Sequence, residues 1–323
     1  MMLTSRARFV AALGGAATAA AFSQPVRGQA RKPLTIGYVP STLFAPLFVA
    51  AERGYLEAAG FDPTLQPITA GADSMSLVAQ GQIDLAGAAL SAAFYNAVNR
   101  GLEVKFVAAT GYQPRSGRPS ALLVREDLYA AGTRIGDLKG KRIGWIGNTG
   151  AASAYYVARI LRPVGLRLTD IEAVNVANPD QEVALERRAV DAVFTSSPFT
   201  ELFVEKKLAR IAGAPPAGIA ASGIFFGPGL LANREAAEAV LNAFRKAAAD
   251  IAGEGYYAAV NVAASAKYTR QAVELIRTAP RYDFKPDLRI DEGTLEDMQR
   301  EFLADGILTY KMPLNEVRLV ARF

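Results

Sequence analysis

From Leu34 to Thr195 short apolar runs alternate with stretches that carry apolar residues at helical spacing, and nothing else in the chain limits its fold so tightly. LTIGYV (Leu34 to Val39) predicts a strand that runs into a turn and then a helix bearing Leu47, Phe48, Ala51 and Leu56. FDPTLQPI predicts a second strand, residues 72 to 80 a helix stopped by Gly81, and IDLAGA (Ile83 to Ala88) a third strand. A helix opened by Ser91 and the strand VKFVAAT (Val104 to Thr110) complete the first succession. After the turn-rich GYQPRSGRPS, the block ALLV (Ala121 to Val124) opens a second one. It contains KRIGWIG, a helix over about Ala151 to Arg162, a strand near Ala173 to Val176, a helix over about Pro179 to Arg188, and DAVFT. Parallel strands need a long crossover between them, which a helix supplies, so each succession predicts its own mostly parallel sheet covered on both faces. A length of 323 residues agrees with two modules.

Beyond the extended block SGIFFGP (Ser222 to Pro228) the chain reads as helical. Ala236, Val240, Ala243, Phe244, Ala247 and Ile251 share one helical face. Thr294 with Asp297 predicts a capping box ahead of Leu295, Met298 and Phe302, with Gly306 as the stop. A helical tail without a sheet of its own has to pack on one of the α/β units.

Composition closes chemical routes. The chain has no Cys and no His, which removes thiol nucleophiles, disulfides, thiolate metal sites, imidazole bases and the commonest zinc ligand. Paired-carboxylate hydrolysis needs two acids facing one pocket. The pairs Asp180 with Glu182 and Asp291 with Glu292 sit at expected helix starts, where acids complement the helix dipole. No catalytic residue, metal site or cofactor is therefore expected.

The N-terminus predicts an export signal over residues 1 to 30. Arg6 and Arg8 precede an uncharged run from Phe9 to Phe22, and small residues at Gly28 and Ala30 suit cleavage after Ala30. The apolar run is too short to span a bilayer, which needs about 20 residues. Ala7 separates the two arginines, so the route is Sec or a degenerate twin-arginine signal. Cleavage would remove Arg6, Arg8 and Arg27 and no acids, lowering the formal charge from +5 to +2. Nothing left forms a basic run with interleaved aromatics, so no nucleic-acid partner is expected.

GWIGNTGAAS (Gly144 to Ser153) reads as a strand, a glycine turn and a helix start. Gly144, Gly147 and Gly150 are spaced by three, which is not the dinucleotide fingerprint, and Gly140-Lys141 is followed by Arg142 rather than by the hydroxyl residue of a phosphate loop. The turn still offers the free N–H groups of a helix start beside Asn148, Thr149, Gly150 and Ala151, an arrangement suited to a carboxylate, sulfonate, phosphate or nitrate. The alternative is that Thr149 merely caps the helix. Ligands collect at the carboxyl ends of strands in open α/β sheets. That places Thr42, Phe44 and Ala45 after the first strand, Ser91 after the third, Tyr112 after the fourth, and Ser196 and Ser197 after DAVFT among the candidate ligand-binding residues.

Four segments carry a family resemblance: IGYVPSTLFAPLFVAAERGYLE (Ile36 to Glu57), AQGQIDLA (Ala79 to Ala86), DLKGKRIG (Asp137 to Gly144) and AVDAVF (Ala189 to Phe194). In this order they resemble the periplasmic substrate-binding proteins of ABC importers of the nitrate/sulfonate/taurine and thiamine-precursor type. The resemblance implies a type II periplasmic-binding-protein fold, α/β, with two lobes joined by two crossing strands near Ser120 to Val124 and Ser222 to Phe226. It implies lobe 1 as residues 31–121 plus 225–323, lobe 2 as 122–224, and closure about a hinge. It also implies ligand loops at Thr42 to Ala45, Ala89 to Ser91, Asn148 to Ala152 and Ser196 to Pro198, a small-molecule solute, an ABC permease partner in the inner membrane, a periplasmic location, and a monomeric binding protein with no enzyme activity. An enzyme on the same scaffold and a solitary solute sensor are the alternatives. Many relatives have Trp-Glu-Pro where this chain has Ser196-Ser197-Pro198, so a relative's ligand does not transfer.

Overall fold

The computed structural model describes residues 30–68, 71–311, 313 and 320–323. The expected export signal lies outside these residues except for Ala30, and residues 31 to 323 form one compact unit. The strands are β1 (Lys32–Tyr38), β2 (Phe61–Pro67), β3 (Leu85–Ala89), β4 (Lys105–Ala109), β5 (Ser120–Arg125), β6 (Arg142–Trp145), β7 (Glu172–Asn175), β8 (Ala192–Ser196), β9 (Ala209–Gly213) and β10 (Ser222–Phe226). The helices ahead of β9 are α1 (Ala45–Glu52), α2 (Tyr55–Ala58), α3 (Gly71–Ala79), α4 (Ala92–Asn99), α5 (Glu126–Ala130), α6 (Ala152–Leu161), α7 (Asn178–Glu186) and α8 (Phe199–Glu205). The tail adds α9 (Pro228–Leu231), α10 (Arg234–Asp250), α11 (Ala259–Thr269), α12 (Val273–Thr278) and α13 (Glu292–Ala304).

Among the described residues the strands make two five-stranded sheets, ordered β2-β1-β3-β10-β4 and β7-β6-β8-β5-β9. In each, four strands share a direction and the fifth opposes them. β10 runs antiparallel to β3 and β4, with Ser222 opposite Ala89, and β5 runs antiparallel to β8 and β9, with Ser120 opposite Ser196. The opposed strand is the one that enters its sheet from the other lobe, so the expected two-lobe α/β architecture is present with mixed sheets.

The two connections, residues 110–119 and 214–221, run side by side. Gln113 N–H donates to the Ile219 carbonyl at 2.9 Å, and Gly218 N–H donates back to Gln113 at 2.8 Å. These bonds join the two connections between the lobes into a short two-stranded ribbon. Tyr156 of α6 holds it by accepting from the Ala221 N–H at 2.8 Å while stacking on Phe194.

The helical tail divides. α10 and α11 pack on α1, burying Val240, Phe244 and Ala247 on the expected face. α13 packs on α6 of the other lobe, where Asp297 accepts from the Tyr155 hydroxyl at 2.7 Å and pairs with Arg159 at 3.1 Å. Thr294 is not the N-cap of α13. Asp291 takes that place and accepts from the Thr294 N–H at 3.1 Å, because a carboxylate at the cap reaches the free donors of the first turn. The edge strand β9 has no strong sequence signal: ARIAG is short and carries a charge, Arg210, at its second position. No helix among the described residues is long and apolar enough to cross a membrane.

Candidate functional site

A cavity of about 530 Å³ lies where the carboxyl ends of β1, β3, β6 and β7 face one another. Val39, Ala89, Leu90 and Ser91 form one wall, and Ile146 to Ser153 together with Asn175 form the other. The volume falls within the usual range for small-molecule sites, roughly 300 to 1,000 Å³. Its lining is apolar, amide and hydroxyl; the polar side chains are Ser91, Asn96, Asn148, Thr149, Ser153 and Asn175.

The turn after β6 is built by backbone geometry. Gly147 has φ +90°, a conformation open to glycine, and its N–H donates to Asn175 Oδ1 at 2.9 Å. Asn148 folds its side chain over the turn, accepting from the Gly150 N–H at 2.9 Å, while its carbonyl accepts from Ala151 N–H and from the buried Trp145 indole. Thr149 does not cap α6. The N-cap is Ala151, with no side-chain hydrogen bond, and Thr149 stands exposed on the cavity rim. The first N–H groups of α6 are therefore left to whatever enters the cavity.

Across the cavity α4 starts in the same way. Its N-cap Ser91 has extended backbone and makes no side-chain cap. The Ser91 hydroxyl borders the cavity, the residue is 6 % exposed, and its Oγ has no hydrogen-bond partner. A buried hydroxyl without a partner is costly unless something fills that role. Two helix N-termini, one from each lobe, thus open on one space together with an unused buried hydroxyl.

The lobes touch at the cavity's edge. Ala92 N–H donates to the Gly150 carbonyl at 2.8 Å, and a Cβ on Gly150 would lie 2.9 Å from the Ala92 Cβ. The tail contributes too: Ile307 joins the lining, and Tyr310 donates to Asn96 Oδ1 at 2.7 Å.

Of the residues singled out from sequence, Ala89, Ser91, Asn148, Thr149, Gly150 and Ala151 line this cavity. The others do not border it. Phe44 and Ala45 are packed beneath the sheet, with Phe44 against Gly87. Tyr112 is buried and donates to the Arg289 carbonyl at 2.7 Å. Ser196 Oγ lies 3.5 Å from Ser120 Oγ, and Thr42 Oγ1 donates to the Ser197 carbonyl at 3.4 Å. Ser196 and Ser120 face each other within one sheet, whereas the Thr42–Ser197 bond is a second contact between the lobes, a closed seam. Asn175 sits at a strand end and was reachable by the rule that found Ser91; Asn96 and Ile307 carry no such mark. Among the described residues no cluster of three or more acidic, His or Cys side chains could hold a metal.

The family described as NMT1/THI5-like matches residues 41–254. Among solved structures, the chain is similar to the alkanesulfonate-binding protein SsuA of Xanthomonas axonopodis pv. citri bound to MOPS. That similarity has TM-score 0.70 and 18 % identity, and covers 92 % of this chain and 100 % of the other. It is similar to the periplasmic aliphatic sulphonate binding protein SsuA of Escherichia coli, with TM-score 0.68 and 20 % identity over 89 % and 97 % of the two chains. It is similar as well to the periplasmic nitrate-binding protein NrtA of Synechocystis, with TM-score 0.68 and 11 % identity over 87 % and 83 %. At these identities the likeness is one of fold. No match was found among curated protein sequences.

Proposed function

The chain belongs to the NMT1/THI5-like family, and on that premise we propose that it is an exported solute-binding protein that holds one small organic anion between its lobes and delivers it to an ABC permease. The observation that carries this reading is the convergence of the α4 and α6 N-termini on one cavity with the unpartnered Ser91 hydroxyl between them. Each helix end favours negative charge by about 0.3 to 2 kcal/mol. An anionic head group would accept from Ser91 and the free N–H groups, and Val39, Leu90, Ile146 and Ile307 would receive an apolar tail. The cavity is much larger than a bare inorganic oxyanion needs, which favours an organic sulfonate or carboxylate over nitrate.

The proposed lobes, 31–121 with 225–323 and 122–224, move about the paired connections. Solute favours the closed form because it contacts both halves at once. A monomer in the periplasm suffices for this cycle. The test is a thermal-shift screen against alkanesulfonates, aliphatic and aromatic carboxylates, nitrate and uncharged pyrimidines, followed by calorimetry. Stabilisation by organic anions with one-to-one stoichiometry supports the proposal. Stabilisation by none of the anions, or turnover of any compound, refutes it.

A further inference from the structure

Away from the cavity the lobes meet again along the Thr42–Ser197 seam, and an acid lies at that seam. Thr42 and Ser197 are each 1 % exposed, and Ser197 N–H donates to the Pro119 carbonyl at 2.5 Å. In the first turn of α8, Glu201 has one carboxyl oxygen, Oε2, that is buried and has no hydrogen-bond partner. From the opposite lobe Tyr256 places its hydroxyl beside Thr42 and Ser265, and both Tyr256 and Tyr282 sense the charge of Glu201.

Among the described residues no cation answers that carboxyl. On the elements packed against α8, Arg125 pairs with Asp127 and Asp191, Arg210 with Glu126, and Lys206 with Glu182, while Lys207 acts on Glu126. Asp180 and Glu186 of α7, and Glu205 one turn further along α8, are exposed acids. Arg115 and Arg118 on the 110–119 connection are exposed, and neither lines the cavity. The two facing tyrosines are held neutral, since burial raises both hydroxyls. An ionised carboxylate in this seam is therefore poorly solvated, and a protonated one is not. Burial raises the Glu201 carboxyl to about 7, against the pull of its own backbone N–H and of the Ser197 hydroxyl toward the charged form. Parting the lobes would return it to water and to the ordinary carboxylate range.

We propose that Glu201 is a proton switch on lobe closure: protonated, it lies within a shut Thr42–Ser197 seam, and on ionising it drives the lobes apart. Closure then takes up one proton, and a solute held by the closed form is released more readily as pH rises. This rests on the two-lobe reading of the function and is independent of which solute is carried.

The chain contains no Cys, so spin labels at Glu103→Cys and Ala189→Cys, both exposed and on opposite lobes, report the interlobe distance alone. At pH 5.5 the short-distance population dominates. A longer-distance population grows as pH rises to 8, with the ratio changing by up to about tenfold per pH unit below neutrality and levelling above it. Glu201→Gln keeps the shape, removes the titration, and stays in the short-distance population throughout. Distances that do not respond to pH, or a response that survives in Glu201→Gln, overturn the switch. Carbon-13 titration of the Glu201 carboxyl in the unsubstituted protein decides the matter without a variant: a midpoint near neutrality supports the switch, and one in the ordinary carboxylate range overturns it. Solute binding is not read in either experiment, so failure here leaves the binding function standing.

Discussion

Ala92 and Gly150, on opposite lobes, are joined by a backbone hydrogen bond of 2.8 Å that closes the rim of the cavity, and there is no room between them for one more carbon atom. Gly150→Val therefore disturbs this contact, and with it the proposed closure, rather than folding, because the position has no positive φ to strain the backbone. Calorimetry with a stabilising solute should show at least a tenfold weaker Kd, with Tm of the free protein lowered by only a few degrees.

Ser91 should behave in the opposite sense to an ordinary buried hydroxyl. Its Oγ has no partner to lose, so Ser91→Ala leaves Tm of the free protein unchanged or slightly higher. If the hydroxyl donates to an anion, the same change weakens binding by about 1.5 to 3 kcal/mol, a charged hydrogen bond's worth. A variant that loses stability and keeps its affinity would show that Ser91 serves the fold.

Thr149→Val makes a milder version of that comparison. The side chain stands on the rim and caps nothing, so stability should change by less than about 0.5 kcal/mol in urea unfolding. Solute affinity should fall by more than that.

Asp297 ties α13 to α6 through Tyr155 and Arg159, and Arg300 also pairs with it. Asp297→Ala leaves the largely buried Tyr155 hydroxyl without its acceptor and should cost about 2 to 4 kcal/mol. Tyr155→Phe removes a single hydrogen bond and should cost about 1 kcal/mol. Denaturant unfolding of the two variants separates these values.

The Glu201 carboxyl binds its proton more tightly in the folded chain than in the unfolded one, where the ordinary value is 4.5. Its favourable contribution is therefore fully present below that value and is lost as pH rises through about 7. After allowance for the residue's residual exposure this amounts to roughly 1 to 3 kcal/mol. Tm of Glu201→Gln minus Tm of the unsubstituted protein should increase from pH 4.5 to pH 8. A difference that stays constant over this interval contradicts the assignment.

Much of the architecture is legible in the residues because the alternation of strand and helix leaves few alternatives. LTIGYV, IDLAGA, VKFVAAT and DAVFT all form strands within a residue or two of the expected limits. The opposed direction of β5 and β10 is not local information; it follows from the chain crossing between lobes. Strand-end position led to Ser91 and to the turn from Asn148 to Ala151, since that rule identifies an edge of the sheet. It does not tell which side chain at that edge faces the opening, which is why Phe44 lies against Gly87 while Asn175 and Asn96 face the cavity. Ile307 arrives from the far end of the chain, and no nearby pattern marks it.

Amide chemical shifts of the isotopically labelled protein, followed during titration with an organic anion that stabilises it, test the central claim most directly. The account predicts that the largest changes fall on Ala93, Ala152 and Ser153, the free N–H groups at the starts of α4 and α6, and that they saturate together at one equivalent. Saturable binding that leaves those amides unmoved and shifts another surface would contradict it.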